Sequence, residues 1–167
     1  MTDSKQQSSS ELCKAYQSLI ASQKTLLLST VTETNQPEIS YAPYVRDEQG
    51  SFYIFISELA SHTRNLLKNK NASIMFIKPE SEVRELFARE RITFNCDAIE
   101  IAPEDVVFEQ QLYSFHRNFG EIVTLIKSLT DFHLFALRPV SGQYVVGFGK
   151  AFKINMTDGS LSGLGQT

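Results

Sequence analysis

Residues Gly50–Lys78 read GSFYIFISELASHTRNLLKNKNASIMFIK. Two runs rich in Phe, Tyr and Ile flank a short polar segment. Aromatic and β-branched side chains suit a pleated, half-buried surface, so Ser51–Ser57 and Ser73–Lys78 are predicted strands. Between them, Ser61-His62-Thr63-Arg64-Asn65-Leu66 has the character of a short helix opened by Ser61, with Leu66 and Leu67 facing a core. The first turn of a helix carries free N–H groups and a partial positive charge, and it attracts anions. Arg64 adds a planar fork that suits phosphate or carboxylate. Ser61, His62, Thr63 and Arg64 are therefore a candidate cradle for an anionic ligand. The competing reading is a solvated surface helix that Ser61 merely caps.

Working outward, Lys24–Thr34 and Glu38–Arg46 are predicted strands separated by a turn at Asn35-Gln36-Pro37. Asp47-Glu48-Gln49-Gly50 is a hairpin turn. Upstream, Ser8 and Glu11 have capping-box spacing, and Leu12, Ala15, Tyr16 and Leu19 follow at helical intervals, which predicts a helix to Ala21. Downstream, Pro79 stops the fourth strand, and the charged segment Glu80–Glu90 is a helical turn or a loop. Arg91–Ile101 is a fifth strand. Pro103 suits a first helical position, with Glu104 and Asp105 in the first turn. Phe108, Leu112, Phe115 and Phe119 form a helical stripe that Gly120 ends, and Ile122, Val123 and Ile126 continue as a second short helix. Asp131–Arg138 is a sixth strand, Pro139-Val140-Ser141-Gly142 a turn, and Gln143–Ile154 a seventh strand. Gly147 and Gly149 mark a sharp bend or a close backbone approach. The fold class is mainly β: an antiparallel barrel of about six to seven strands with short helices. Residues 1–9 are expected to be a disordered tail, 10–154 the barrel domain, and 155–167 a C-terminal tail without regular structure.

Composition narrows the function. The 167 residues suffice for one domain burying about 70% of its unfolded surface. A net charge of −3 offers no broad basic field, so neither nucleic acid nor membrane is an expected partner. The longest apolar runs are far too short to span a bilayer, and the polar N-terminus has no signal-peptide core. Cys13 and Cys96 lack metal-type spacing, read as small hydrophobes, and fit a reducing, cytoplasmic setting. Serine-hydrolase, Rossmann and P-loop signatures are absent.

Beyond the Ser61–Arg64 segment, three features can carry chemistry. Ser40 and Tyr41, in Ser40-Tyr41-Ala42-Pro43-Tyr44, can flank a planar ring or be barrel wall. Arg91, in a cluster with Arg84, Arg89, Glu82, Glu85 and Glu90, either projects into a pocket or joins a surface ion-pair web. Asp131 and His133 are two apart on a predicted strand and share a face, as an acid–base couple or as a satisfied structural pair. His116, beside Phe115, reads as a solvated or interface residue.

The order of these pieces is similar to a known family. LLLSTV, PEISYAPYV, SELASHTRNL, LFARERITF (Leu86–Phe94), DFHLFALRP (Asp131–Pro139) and GQYVVGFGKAF (Gly142–Phe152) resemble, over residues 12–154, the HutZ/HugZ-type heme-utilisation family. That family lies within the pyridoxamine 5'-phosphate oxidase-like, FMN-binding split-barrel superfamily. The resemblance implies a cytoplasmic homodimer with heme in the interfacial cleft, where other superfamily members hold FMN. It implies that His62 sits near the cleft and that Arg91 pairs with a propionate or polarises bound oxygen. It also implies that Asp131 orients an axial histidine of the partner subunit, since a carboxylate fixes the tautomer and raises the basicity of an iron ligand.

In heme-degrading members of that family the axial histidine lies in a C-terminal tail. Here residues 158–167 contain no His, Cys, Met or Tyr, so the metal ligand is unassigned, with His62, His116 and His133 as the remaining imidazoles. Three functions follow: a heme-binding protein of iron acquisition, with or without heme degradation; an FMN-binding oxidoreductase of the same fold; or a ligandless dimeric interaction module.

Overall fold

The computed structural model describes residues 8–164. Helix α1 spans Ser9–Ala21, followed by β1 (Thr25–Val31), β2 (Pro37–Arg46), β3 (Phe52–Ser57), α2 (Ser61–Lys68), β4 (Asn71–Ile77), β5 (Arg91–Ile101), α3 (Val106–Phe119), α4 (Ile122–Lys127), β6 (Phe132–Gly147), β7 (Lys150–Ile154) and β8 (Leu161–Gly163). The strands hydrogen-bond in the order β3-β2-β1-β4-β5-β6-β7-β8. Strand β3 also pairs with β6, so six strands form an unbroken ring of pairings. The Glu80–Glu90 segment holds two 3-10 turns, Glu80–Glu82 and Leu86–Ala88.

The expected turn at 139–142 does not exist. Strand β6 runs through it, pairing with β3 over Phe132–Leu137 and with β7 over Gly142–Gly147. Neither β3 nor β7 pairs with residues 138–141, so the missing N–H of Pro139 costs neither ladder a bond. Gly142 serves close packing instead of a turn: a Cβ there would lie 2.8 Å from two atoms of the Phe94 ring. The chain reverses after Gly147, where Gly149 has φ +65°, a conformation that favours glycine. Two other expectations change. Helix α3 starts at Val106, not near Pro103, because the Asp105 side chain accepts from Val107 N–H at 2.9 Å and caps it. The region after 154, expected to lack regular structure, contains β8, paired antiparallel with β7. The ends of both tails, 1–7 and 165–167, lie outside the described residues.

The chain divides into two compact units. The first holds residues 8–23, 75–94 and 141–164. Its helix α1 opens with the predicted capping box, Ser8 and Glu11 bonding reciprocally. Tyr16 tilts against Tyr144 and donates its hydroxyl to Gly159 O at 2.9 Å, which ties α1 to the turn before β8. Tyr144 donates to Glu90 Oε1 at 2.5 Å, and Lys78 lies 3.7 Å from the same carboxylate.

The second unit holds residues 24–74 and 95–140. Strands β1 and β2 form a hairpin in which Leu27 faces Tyr41 and Leu28 faces Ser40. Alternate residues bury one side of it, including Leu26, Leu28, Thr30 and Ala42. The expected Phe stripe of α3 packs as predicted: Phe108 and Phe115 meet Phe55 of β3, and Phe119 stacks on Phe115. Burying such side chains contributes about 1.5–3 kcal/mol each. Gly120, at φ +77°, ends α3.

Candidate functional site

The candidate site is built in the second unit around the short link Ser57–Ala60 and the start of α2. Ser61 is the first helical residue, and Ala60 takes the cap position with no side-chain cap. The hydroxyl of Ser61 is thus exposed and not engaged as an N-cap. Thr63 is fully buried, and its Oγ1 donates to Ser57 O at 2.6 Å. It braces the link from below rather than lining its surface. Arg64 is exposed, and its Nη1 donates to Glu58 O at 2.6 Å and Leu59 O at 3.2 Å. The guanidinium is held by main-chain carbonyls, which set its rotamer.

His62 is half-buried. Burial pushes its pKa below the ordinary histidine value against a weaker opposing pull from Glu38. At neutral pH the imidazole is therefore neutral, the form that also suits a metal. One turn on, Asn65 Nδ2 donates to Thr30 Oγ1 at 3.0 Å and to Glu38 Oε2 at 2.6 Å, which fastens α2 to the β1–β2 hairpin.

Asp131 lies just before β6, and its carboxylate accepts from Ser57 Oγ. Its carbonyl accepts from Glu58 N–H at 2.9 Å. The pairing of Asp131 with His133 is not what forms: His133 instead bonds Glu58 and Glu100. Ser40 and Tyr41 are not brought together either. Neighbouring strand residues face opposite ways. Ser40 lies half-buried with its hydroxyl toward Leu28 O, at 3.3 Å. Tyr41 is 65% exposed beside Ile39, 80% exposed, on the other face with Leu27. Arg91 belongs to the first unit, where it is half-buried and donates from Nη1 to Arg89 O at 2.9 Å. The expected ion-pair web around it reduces, among the described residues, to Arg89 with Glu80 at 3.1 Å and Lys78 with Glu90. His116 meets Glu121 at 3.2 Å on the surface.

Ser57, Glu58, Glu38, Asn65 and Glu100 were not singled out from sequence. No spacing marks them, because their partners come from other strands. Among the described residues no group of three or more His, Cys, Asp or Glu is arranged to hold a metal ion, and no helix is long and apolar enough to cross a membrane.

A ring of paired strands with a short helix inserted after β3, its first turn carrying Ser61, His62 and Arg64, defines a split-barrel protein. Residues 12–146 match the family model described as pyridoxamine 5'-phosphate oxidase. Heme oxygenase HutZ of Vibrio cholerae serotype O1 is 40% identical over 135 residues, which is 81% of this chain and 76% of that protein. A crystal structure of HutZ, described as the heme storage protein from Vibrio cholerae, matches with TM-score 0.71 and 37% identity, over 75% of this chain and 88% of that one. The crystal structure of Campylobacter jejuni ChuZ matches with TM-score 0.83 and 30% identity, over 96% of this chain and 65% of that one. The chain belongs to the HutZ-type heme-utilisation family within the pyridoxamine 5'-phosphate oxidase-like split-barrel superfamily.

Proposed function

We propose that this chain is a heme-binding protein of heme-iron utilisation, holding the acidic edge of heme at the start of α2. The observation that carries this reading is the composition of that helix start. An exposed hydroxyl (Ser61), a half-buried neutral imidazole (His62) and a backbone-anchored guanidinium (Arg64) all lie in the first turn, where the helix dipole is positive. The 40% identity to a protein named heme oxygenase supports it.

These groups fit heme. The propionates need a cation and N–H donors, and a neutral imidazole can donate one N–H or ligate a metal. Asp131 joins the proposed set as the carboxylate that orients an iron ligand; Arg91, in the first unit, is proposed separately as a cation for a propionate or bound oxygen. Heme, when bound, supplies redox-active iron; this chain's residues bind and orient it. The domain carrying these groups is taken as 10–154.

The reading includes a homodimer. The outward face of the β1–β2 hairpin exposes Leu27, Ile39 and Tyr41 in adjacent register, an apolar surface that a second copy would cover. A second ligand reading, FMN, is favoured by the family model's description and by the same anion-ready helix start.

Titrating the purified protein with hemin tests the reading. The expected result is a saturable Soret shift, weakened by Arg91→Ala or His62→Ala. A spectrum identical to free hemin, with quenching of added flavin fluorescence, would transfer the site to FMN. Binding of neither would leave an interaction module.

A further inference from the structure

His133 stands between two carboxylates. Its Nδ1 lies 2.6 Å from Glu100 Oε1, and its Nε2 lies 2.5 Å from Glu58 Oε1. A neutral imidazole has one N–H and one acceptor nitrogen, so it can satisfy only one ionised carboxylate. Two carboxylates, one on each nitrogen, call for the imidazolium, with both nitrogens donating. Burial pulls the ring the other way, but the bonds and charges of Glu100 and Glu58 outweigh it, and the pKa is raised above the ordinary histidine value.

The link that Glu58 belongs to is the one the candidate site is built on. Ser57 Oγ holds the Asp131 carboxylate, and Glu58 N–H bonds Asp131 O. The carbonyls of Glu58 and Leu59 hold Arg64. On the side of the link, all of these bonds use main-chain groups or the short Ser57 hydroxyl. The one long side chain of the link, Glu58, reaches to β6 and is caught there by His133, two residues from Asp131. Glu100, near the end of β5, grips the other side of the same ring. The charged groups facing His133 are thus Glu58 from the β3–α2 link and Glu100 from β5. Its own strand is preceded by Asp131, engaged with Ser57, and β3 places Ile56 opposite it.

We propose that His133 is a positioning residue: clasped as an imidazolium by Glu58 and Glu100, it sets where the Ser57–Ala60 link holds Asp131 and Arg64. When the ring loses its proton to solvent, one nitrogen presents a lone pair to a carboxylate, and one side of the clasp opens. If Glu58 is the side released, the link is left with its short bonds alone. Asp131 and Arg64 then gain freedom together, since both are bound to it. The clasp is closed below the ordinary histidine pKa and opens as pH rises through the raised value. Its consequence for ligand binding rests on the heme reading; the clasp itself does not.

The test is NMR titration of the ligand-free protein, following the His133 ring and the backbone amides of residues 58–60 and 132. The expected result is one step above the ordinary histidine pKa, shared by ring and amides. In Glu58→Gln the ring pKa falls and the amides no longer follow it. In Glu100→Gln the ring pKa falls and the amide step shrinks, because a neutral ring keeps its Nε2 N–H on Glu58 while Nδ1 accepts from the glutamine amide. His133→Gln loses the step altogether. A ring that titrates at or below the ordinary value, or amides that ignore it in the wild type, would overturn the proposal. Hemin titration at pH values either side of the step is a separate arm, with affinity expected to fall severalfold above it. A protein that shows the shared step but binds no hemin keeps the clasp and loses the heme reading.

Discussion

Thr63 offers a sharp test of how the helix start is used. Its side chain has no solvent exposure, and its hydroxyl donates to Ser57 O. That carbonyl also accepts from Ala60 N–H at 3.1 Å, so removing the hydroxyl does not orphan it. Thr63→Val keeps the shape and deletes one neutral hydrogen bond, an expected loss of about 1 kcal/mol. Thr63→Ser keeps the bond and deletes a buried methyl, again about 1 kcal/mol once the small void is included. Thr63→Ala removes both, for about 2 kcal/mol. At this chain length each kcal/mol moves Tm by about 2–4 °C. The valine and serine variants should therefore melt a few degrees low and the alanine variant about twice as far. Urea unfolding should show midpoints moved with slopes unchanged. Because Thr63 braces the link from inside, hemin affinity of the folded Thr63→Val protein should stay within about twofold of wild type, well below the tenfold that 1.4 kcal/mol represents. A valine variant as stable as wild type that loses hemin would refute this reasoning, since it would place the hydroxyl on the ligand.

Three further outcomes are expected. Gly142→Ala pushes a methyl into the Phe94 ring, so it should destabilise by about 1–3 kcal/mol; combining it with Phe94→Leu should cost less than the sum of the two in a denaturation cycle. Asp105→Ala removes the cap of α3 and should lower stability by about 0.5–2 kcal/mol, with Asp105→Asn close to neutral; equal losses in both variants would argue against capping. His62 has a lowered folded-state pKa, so between the unfolded value and the folded one the unfolded chain binds more protons. Its contribution is present above the ordinary histidine pKa and lost as pH falls toward the lowered value. His62→Gln should therefore flatten the acid side of the stability profile, and an unchanged slope would show that His62 is not held neutral.

The contrast between two histidines shows how much of the site was legible. His62 was visible as a site residue because it sits in a local pattern: strand, polar turn, helix start. Its neighbours within the pattern are fixed by the helix, and Arg64 returns to carbonyls only five and six residues back. His133 was visible only as a residue two from Asp131. Its real partners are 75 and 33 residues away in sequence, and no spacing rule encodes such pairs. The same holds for Ser40 and Tyr41. Their adjacency suggested one surface, yet the pleat separates them to opposite faces.

Elements whose cause is local were determined by the amino-acid order itself. The capping box of α1, the Asp47–Gly50 turn, the Phe stripe of α3 and each single element of the strand–helix–strand run from Phe52 to Ile77 follow from propensity and periodicity within about a dozen residues. What only the tertiary structure decided was where strands continue and which side chains meet. Gly142 passes for a turn residue until the Phe94 ring is seen against it, and Asp131 for a partner of His133 until Ser57 and Glu58 arrive from β3 and its link. The reason is that backbone preference acts over neighbouring residues, whereas packing and hydrogen-bond satisfaction act between segments that become neighbours only when the sheet has formed.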